Sequence, residues 1–346
     1  MKKILILTDY RGEFQCSVND LINYQSMDIE SIKKKFVANG FVVKIQKISE
    51  INYFDDFKGW YVLYHSSEDQ GLYYKSYIQD ICMYLDRKGA ILLPKYYCLQ
   101  AHHNKVFMEL LRNELVLEEQ YRSLVFGTYE EFSMCKSFSF PVIFKLAEGA
   151  GSRSVQKAND ISELVNIVKK SIKVKDYSVR YLLKEFLLRI KKLFLRSNGE
   201  LKREYTNYRK KFIIQPFYEL EGDCKVLRYG SKYYILGRKN RINDFRASGS
   251  GIFYQPEGEE LFSVLNCAKS VTEQFQENLM GLDIAFNSKS KKALLIEFQF
   301  GIFLGPYALQ ASKGWYSYEN GKWVFNEGKS NLETEYCNAI LEKIAN

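Results

Sequence analysis

The segment GLDIAFNSKSKKALLIEFQF, residues 281–300, predicts two antiparallel β-strands joined by a polar turn at residues 287–292. In its second half apolar and polar side chains alternate, because successive residues of a strand point to opposite faces. The apolar face is expected to hold Leu294, Ile296, Phe298 and Phe300, and the polar face Glu297 and Gln299. We therefore expect a strand pair with one face in a core and the other face lined by oxygen-bearing side chains.

The same segment brings two carboxylates together in one of two possible registers. The turn places Asp283 opposite either Ile296 or Glu297, and only the second register puts both carboxylates on one face. Side chains that face each other across a strand pair have Cβ atoms about 5 Å apart, where two anions repel unless a cation lies between them. Mg²⁺ suits such a position because it binds carboxylate, phosphate and water oxygens. Two interpretations stay open, a magnesium site and a pair of solvated carboxylates at a sheet edge.

A lysine and a loop with glycines form a second candidate site. In PVIFKLAEGAGSRSVQKA, residues 141–158, two predicted strands flank the loop, and Lys145 lies on the first strand. Gly149, Gly151 and Ser152 would let backbone N–H groups approach phosphate oxygens without obstruction by side chains. The spacing matches neither common nucleotide-binding fingerprint. Glycines that only form the turn are therefore the alternative.

A basic loop forms the third candidate site. RKNRINDFRASGSG, residues 238–251, gathers Arg238, Lys239, Arg241 and Arg246 beside small, flexible residues. Guanidinium groups bind phosphate and carboxylate through two parallel hydrogen bonds, and they stabilise the charge of a transferring phosphoryl group. The alternative is a basic loop that only faces solvent.

The first hundred residues alternate predicted strands and helices, which is typical of an open, mostly parallel sheet. Ligands of such sheets bind beyond the carboxyl ends of the strands. Arg11 follows the first predicted strand, and Ser66 and Ser67 follow a later one. These three residues are candidates for binding a substrate carboxylate or sugar hydroxyls. Alternatively, they cap helices and satisfy loop backbone.

The charge of the chain is concentrated in one segment. The 346 residues carry a net charge of +9, but residues 169–211 hold 15 basic and 4 acidic residues, so the rest of the chain has a net charge of −2. Within that segment, VRYLLKEFLLRIKKLFLR at residues 179–196 has apolar residues at helical spacing. The interpretations are an inserted helix packed on the protein body and a helix lying on an anionic membrane surface. No nucleic-acid-binding motif accompanies it, so nucleic acid is not an expected partner.

Other features narrow the class of protein. The chain is long enough for two or three domains. No stretch approaches the roughly 18 apolar residues of a membrane-spanning helix. The seven cysteines are scattered without a CxxC pair, which favours a reducing cytoplasm. The chain has three histidines, too few to favour histidine-dependent hydrolysis. Two of them, His102 and His103, are adjacent on a predicted helix, so we expect them to face different directions and not to bind a metal together.

Taken in order, these features resemble the ATP-grasp superfamily over roughly residues 100–305. The ordered set comprises a helix with Lys105, the strand with Lys145, the glycine loop, an apolar strand ending in Gln215-Pro216-Phe217, the loop with Arg246, and then Asp283, Glu297 and Gln299. In addition, GDCKVLRYG followed by DFRASGSG is similar to the DxR and FRxNxxxGG pattern of the ligases that add glutamate to ribosomal protein S6. The resemblance implies an α/β (α+β) ATP-grasp fold with an N-terminal open α/β sheet domain.

The resemblance also implies domain bounds. These are an N-terminal α/β domain at 1–100, an ATP-grasp N-terminal subdomain at 101–212 with a basic helical insertion near 170–211, an ATP-grasp C-terminal subdomain at 213–310, and a C-terminal hairpin and helix at 311–346.

Roles for individual residues follow from the resemblance. Lys105 and Lys145 would hold the ATP phosphates, and Gly149 to Ser152 would close over them. The adenine pocket would involve Gln215 and Phe217, and the ribose or phosphates would contact Asp223 and Lys225. Arg246, together with Arg238, would stabilise an acyl phosphate. Asp283, Glu297 and Gln299 would bind Mg²⁺ or Mn²⁺. The chain departs from the family pattern at Gln299 and Ser248, where the family has Asn, and at Lys225, where it has Arg.

The resemblance implies an ATP-dependent enzyme that activates a small-molecule carboxylate as an acyl phosphate and joins it to an amine. The substrate would be a sugar acid or an amino acid in the modification of a surface polysaccharide or peptide. Two alternatives stay open: an ATP-grasp kinase that phosphorylates an alcohol, and a non-catalytic nucleotide-binding protein that contacts membranes through residues 179–196. The sequence leaves a homo-oligomer possible.

Overall fold

The computed structural model describes residues 2–18, 24–119, 121–135, 137–149, 154–174, 183–184, 186–188, 190–191, 206–301 and 306–345. The chain forms two compact units. The first unit is Met1–Gln120 with Tyr218–Asn346, and the second unit is Tyr121–Phe217.

The strands of the described residues are β1 (Lys3–Thr8), β2 (Gln15–Val18), β3 (Tyr24–Ser26), β4 (Val42–Lys47), β5 (Trp60–Leu63), β6 (Ile91–Leu93), β7 (Leu124–Phe126), β8 (Val142–Leu146), β9 (Val155–Ala158), β10 (Phe212–Pro216), β11 (Gly222–Tyr229), β12 (Lys232–Lys239), β13 (Phe253–Tyr254), β14 (Leu279–Asn287), β15 (Lys292–Phe300), β16 (Gly314–Glu319) and β17 (Lys322–Glu327). The α-helices whose bounds the structure describes are α1 (Ile29–Ala38), α2 (Tyr73–Arg87), α3 (Tyr96–Ala101), α4 (Lys105–Arg112), α5 (Tyr129–Met134), α6 (Ile161–Ser171), α7 (Gly258–Gln274), α8 (Tyr307–Ala311) and α9 (Leu332–Ala345).

The first unit contains the predicted parallel sheet, in the order β4-β1-β5-β6. Strands β1, β5 and β6 are short and largely apolar, as expected of strands covered on both faces, whereas the edge strand β4 mixes apolar and polar residues. Asp28 begins α1 because its side chain accepts the backbone N–H of Ser31. This arrangement confirms the open α/β sheet predicted for the N-terminal part of the chain.

The first unit also contains a large antiparallel sheet in the order β15-β14-β11-β12-β16-β17, with β13 paired to β12. Asn320 and Gly321 form the β16–β17 turn, and both have the positive φ that such tight turns require. One buried cluster joins apolar residues of α2, α3, α4 and α7 to β11, β14 and β15. This packing holds one face of the large sheet in a core.

The second unit is a four-stranded antiparallel sheet in the order β7-β10-β8-β9. Its core includes Phe144, Phe212, Leu164 and Val168, which join the sheet to α6. Helix α6 begins after Asp160, whose side chain accepts the N–H of Glu163 at 2.9 Å.

Much of the predicted basic helix lies outside the described residues. The residues of 179–196 that the structure does describe are helical. Among them, Leu183, Phe186 and Leu187 are exposed. No helix in the described part of the chain is both long and apolar enough to cross a bilayer.

Candidate active site

A row of charged side chains crosses four neighbouring strands of the large sheet. Arg238 on β12 pairs with Asp223 on β11. Two residues further along β11, Lys225 pairs with Asp283 on β14, which in turn pairs with Glu297 on β15. Of the two registers that the sequence allowed, the structure has the one that sets Asp283 opposite Glu297. Opposite charges therefore alternate along one face of the sheet, except where these two carboxylates meet.

Ion pairs join the members of this row. Arg238 contacts both carboxylates beside it, with Nε 2.6 Å from Asp223 Oδ1 and Nη2 3.1 Å from Asp283 Oδ2. Lys225 Nζ lies 3.0 Å from Asp283 Oδ1. These distances are those of close ion pairs, in which each carboxylate lies against at least one cation.

Electrostatics separate the two aspartates of the row. Burial alone would raise the pKa of Asp283, but the charges of Arg238 and Lys225 hold that pKa well below its usual range. Burial and the nearby charge of Asp283 raise the pKa of Asp223, against the effect of Arg238. Although burial opposes it, both carboxylates raise the pKa of Arg238. Asp283 is thus the carboxylate held most firmly in its charged form.

Glu297 connects the row to α4. Lys105 begins that helix, directly after Asn104, whose side chain accepts the N–H of Phe107. Lys105 Nζ lies 3.8 Å from Glu297 Oε1, although Lys105 is only 6% exposed. The structure therefore brings together a lysine and a carboxylate that are almost two hundred residues apart in the sequence.

A β-bulge in β15 lies directly before Glu297 and places its side chain on the face that carries the charged row. Asp283 pairs with Glu297, yet Ile284 pairs with Leu295, so Ile296 is an extra residue between them. The strict alternation predicted for residues 294–300 is therefore wrong at its start. The buried cluster contains Ala293, Leu295, Phe298 and Phe300, and Ile296 is only partly buried. Bulges of this kind are common beside active sites, where they redirect a side chain.

Arg112 supports the bulge, and sequence analysis missed it. Its guanidinium donates to the carbonyl oxygen of Leu295 and, at 2.8 Å, to that of Ile296. Its Nε donates to Glu109 Oε2 at 3.0 Å, and Arg112 is only 2% exposed. The one available signal was a pair of charges, Glu109 and Arg112, on the apolar helix that carries Lys105, because a buried charge requires a partner.

Gln299 lies two residues after Glu297 on the same strand and pairs with Gly281. The two side chains therefore share a face of the sheet. Two carboxylates and one amide oxygen on one face are hard oxygen donors, which is the kind of ligand set that Mg²⁺ takes. The residues present thus fit a magnesium ion accompanied by phosphate oxygens.

The basic loop after β12 is held by contacts within itself. Arg246 donates through Nε to Asp244 Oδ2 at 2.9 Å, and its hydrogen bonds to Asp244 raise the pKa of Arg246. Arg241 donates through Nε to the carbonyl oxygen of Ser248 at 2.8 Å. Arg238 is joined to the charged row, whereas the guanidinium of Arg246 is paired with an aspartate of its own loop.

Four of the predicted nucleotide contacts lie in the described part of the second unit. Lys145 is on β8, opposite Ile213 of β10, and is 8% exposed. Gly149 has a φ of +109°, a conformation that favours glycine. Gln215 donates its amide to Ser123 Oγ at 2.9 Å, and Lys157 Nζ lies 3.9 Å from the ring centre of Phe217. The predicted contacts Gly151 and Ser152 lie outside the described residues.

The predicted substrate residues all have local partners in the first unit. The guanidinium of Arg11 pairs with Asp9, with Nη2 2.7 Å from Oδ2. Ser66 is fully buried, and its Oγ lies 2.8 Å from His102 Nδ1. Ser67 Oγ accepts the N–H of Asp69 at 3.2 Å. Only Ser67 satisfies loop backbone in this way, as the structural alternative has it, whereas Arg11 and Ser66 contact other side chains. A substrate role for the three residues stays a prediction.

The predicted separation of His102 and His103 is wrong. Helix α3 ends at Ala101 and α4 begins at Lys105, so both histidines lie in the connection between two helices. His103 has a φ of +52°, which turns the chain there. The two rings lie 4.9 Å apart, and both histidines approach Glu68.

Comparison with known proteins identifies the architecture. No family model matches the chain, and no curated protein has significant sequence similarity to it. Among solved structures, the D-cycloserine synthetase DcsG is 10% identical, with 99% of each chain covered and a TM-score of 0.51. The ATP-grasp ligase PsnB, complexed with a minimal precursor, is 10% identical over 98% of this chain and 99% of that one, with a TM-score of 0.48. A RimK domain ATP-grasp protein from Sphaerobacter thermophilus is 10% identical over 87% and 91% of the chains, with a TM-score of 0.45. At such identities a likeness shows the fold alone, and the first of these confirms the fold class predicted from the sequence.

Proposed function

Because the chain has the ATP-grasp fold, we propose that it is an ATP-dependent ligase that joins a carboxylate to an amine through an acyl phosphate. The observation that carries the proposal is the register of β14 and β15, which sets Asp283 opposite Glu297 beside Lys105, Lys225 and Arg238. Carboxylates for a metal ion and cations for phosphates are the groups that phosphoryl transfer needs.

Asp283, Glu297 and Gln299 would hold Mg²⁺, or Mn²⁺ in its place. When bound, the ion neutralises phosphate charge and orients the triphosphate. The burial of this face favours the interaction, since charges attract each other more strongly at a site with less water. The pKa of Asp283 supports this role, because its low value keeps the carboxylate charged at neutral pH.

Lys105 would bind a phosphate oxygen of ATP. Its ion pair with Glu297 places the ammonium group at the face of the sheet that carries the proposed metal ligands. By the sequence resemblance, Lys145, Gln215, Phe217 and the loop from Gly149 to Ser152 would contribute further nucleotide contacts, and Asp223 and Lys225 would bind ribose or phosphate.

The proposed reaction has two steps. First, a carboxylate oxygen of the substrate attacks the γ-phosphorus of ATP, the bond from that phosphorus to the β–γ bridging oxygen breaks, and ADP leaves. Next, the amine attacks the carbonyl carbon, the bond from that carbon to the phosphate oxygen breaks, and inorganic phosphate leaves while the amine loses a proton to solvent. Arg238 and Arg246 would stabilise the negative charge of the acyl phosphate, a task for which fixed guanidinium groups are suited.

The substrate class rests on the sequence resemblance and on the end of the parallel sheet. We propose a small carboxylate, either a sugar acid or an amino acid, with Arg11, Ser66 and Ser67 among its candidate contacts. Release of Arg11 from Asp9 would be required before its guanidinium could take a substrate carboxylate. A cytoplasmic location would supply the ATP.

Trapping with hydroxylamine tests the reaction without knowledge of the natural amine. The protein would be incubated with ATP, Mg²⁺, hydroxylamine and each of a panel of amino acids and sugar acids, and hydroxamate and ADP would be measured. We expect equal amounts of hydroxamate and ADP with the carboxylates that the enzyme accepts. A phosphate ester formed without hydroxamate would instead identify a kinase. The absence of ADP formation with every carboxylate and alcohol, in a protein that binds ATP, would favour the non-catalytic alternative.

A further inference from the structure

Three side chains that the proposed ligase reaction does not use converge at the end of the parallel sheet. Glu68 Oε1 lies 2.9 Å from His103 Nε2 and 3.5 Å from His102 Nε2. One nitrogen or oxygen from each of the three residues lies within 4.8 Å of the others. Two imidazoles and one carboxylate therefore lie close enough together to bind one ion.

The local backbone produces this convergence. Glu68 lies in the segment that follows β5, whereas the histidines lie between α3 and α4. His102 is the first residue after α3, and His103 adopts the left-handed φ of +52°. That conformation costs a residue other than glycine about 1–2 kcal/mol, and strained residues cluster at functional sites.

A further residue orients one of the imidazoles. His102 Nδ1 lies 2.8 Å from Ser66 Oγ, so a proton on Nδ1 would be donated there and Nε2 would carry its lone pair toward Glu68. The distance of 3.5 Å from Nε2 to Glu68 Oε1 is longer than the 2.7–2.9 Å of a charge-assisted hydrogen bond. A cation between these two atoms suits that separation better than a proton does.

We propose that Glu68, His102 and His103 form a binding site for a divalent transition metal of the Zn²⁺ class. Two histidines and a glutamate are a known protein ligand set for zinc, with a fourth position left for water. Metal-to-ligand distances of about 2.0–2.1 Å in a tetrahedron separate the ligand atoms by about 3.3 Å, and the two nitrogen-to-oxygen distances here lie on either side of that value. The site differs in chemistry from the all-oxygen set of Asp283, Glu297 and Gln299, because imidazole favours transition metals and Mg²⁺ favours oxygen.

The surroundings are compatible with metal entry and suggest a structural effect. The side chain of His102 is only 3% exposed, but those of His103 and Glu68 are 10% and 20% exposed, which gives solvent access from one side. A bound ion would join the segment after β5 to the connection between α3 and α4, in which His103 lies two residues before Lys105.

Zinc titration of the untagged, chelator-treated, full-length protein tests this site independently of any ligase activity. We expect one Zn²⁺ per chain, with Co²⁺ binding the same site more weakly and Mg²⁺ not competing, in calorimetry or in competition with a coloured chelator. His103→Ala and Glu68→Gln should each weaken zinc binding roughly tenfold or more. Glu114→Gln, an exposed change on the same unit, should leave it unchanged.

Both variants are chosen so that the metal-free protein keeps its fold. Glu68→Gln preserves the shape of the side chain, and His103 is at the surface end of the cluster, so circular dichroism without metal should match that of the parent protein. The absorption spectrum of the Co²⁺ form should lack a thiolate charge-transfer band, since no cysteine belongs to the cluster. The proposal is overturned if no stoichiometric zinc binding occurs, if both variants bind as tightly as the parent protein, or if the cobalt spectrum shows thiolate ligands.

Discussion

Asp283 and Glu297 face each other across β14 and β15 at the point where a bulge interrupts the pairing of the two strands. Each carboxylate contacts a cation from another element, Asp283 through Lys225 and Arg238, and Glu297 through Lys105. Without those cations, two opposed anions would repel each other. The pair therefore exists as part of a charged row, and each prediction about the active site concerns a member of that row or its support.

Glu297→Gln should reduce ATP turnover by roughly a hundredfold or more, because it removes a charged metal ligand from a site that stabilises phosphoryl transfer. The fold should persist, since the neighbouring Phe298 and Phe300 keep their places in the core. ADP release with an accepted carboxylate and amine measures the effect. Glu327→Gln, an exposed change on the same sheet, is the control. Undiminished ADP release in Glu297→Gln would refute the metal assignment.

Arg238→Lys should lower kcat far more than it raises KM for ATP. Lysine keeps the charge but lacks the planar fork that reaches Asp223 and Asp283 together. We expect kcat to fall roughly tenfold to a hundredfold, as for other groups that stabilise developing charge. Arg87→Lys on the exposed side of α2 provides the matched control. Parent-level kcat in Arg238→Lys would show that one positive charge suffices at this position.

Arg112→Met should destabilise the protein by about 3–5 kcal/mol, because it leaves the buried Glu109 without its ion pair. Chemical unfolding measures the loss. The double variant with Glu109→Met should recover part of it, since removal of both charges also removes the unpaired one. If the double variant loses as much stability as the two single variants together, the two side chains are not energetically coupled.

The pH dependence of stability should report Glu277. Burial raises the pKa of this carboxyl, which is 4% exposed and lies 3.3 Å from Lys343 Nζ. A raised pKa in the folded state stabilises the fold fully below the unfolded value of 4.5, and that contribution is lost as pH rises through the folded pKa. Glutamine does not titrate, so the variant does not lose this contribution as pH rises. The melting temperature of Glu277→Gln minus that of the parent protein should therefore be higher at pH 7 than at pH 4.

A neutral control makes the pH experiment decisive. Glu273→Gln changes an exposed carboxyl in the last turn of α7 and should show no such pH-dependent difference. The same difference in both variants would assign the effect to the overall charge of the protein. A difference of the opposite sign in Glu277→Gln would contradict the pKa direction.

Much of the fold follows from periodicity and turn residues. The alternation in residues 294–300 and the polar turn before it predict β14 and β15, and Asn320-Gly321 predicts the last hairpin, because these signals are local. The sequence leaves two registers open for Asp283, and the structure has the one that sets it opposite Glu297. The bulge at Ile296 could not be foreseen, because it depends on Arg112, which is 184 residues away in the sequence.

The candidate site was less predictable than the strands that carry it. Arg238 was identified from a basic loop, but its partners Asp223 and Asp283 come from two other strands, and strand order is not a local property. The helical spacing of the neighbouring residues predicts that both histidines lie on a helix. The left-handed conformation of His103, which ends that pattern, is uncommon for any residue other than glycine and has no sequence signature here.

The most direct test of the central claim is calorimetric titration of the protein with a non-hydrolysable ATP analogue, with and without Mg²⁺. The account predicts that Mg²⁺ strengthens binding to the parent protein by roughly tenfold or more, equivalent to at least about 1.4 kcal/mol, and that Glu297→Gln abolishes this gain. The same Mg²⁺-dependent gain in the parent protein and in Glu297→Gln would contradict it.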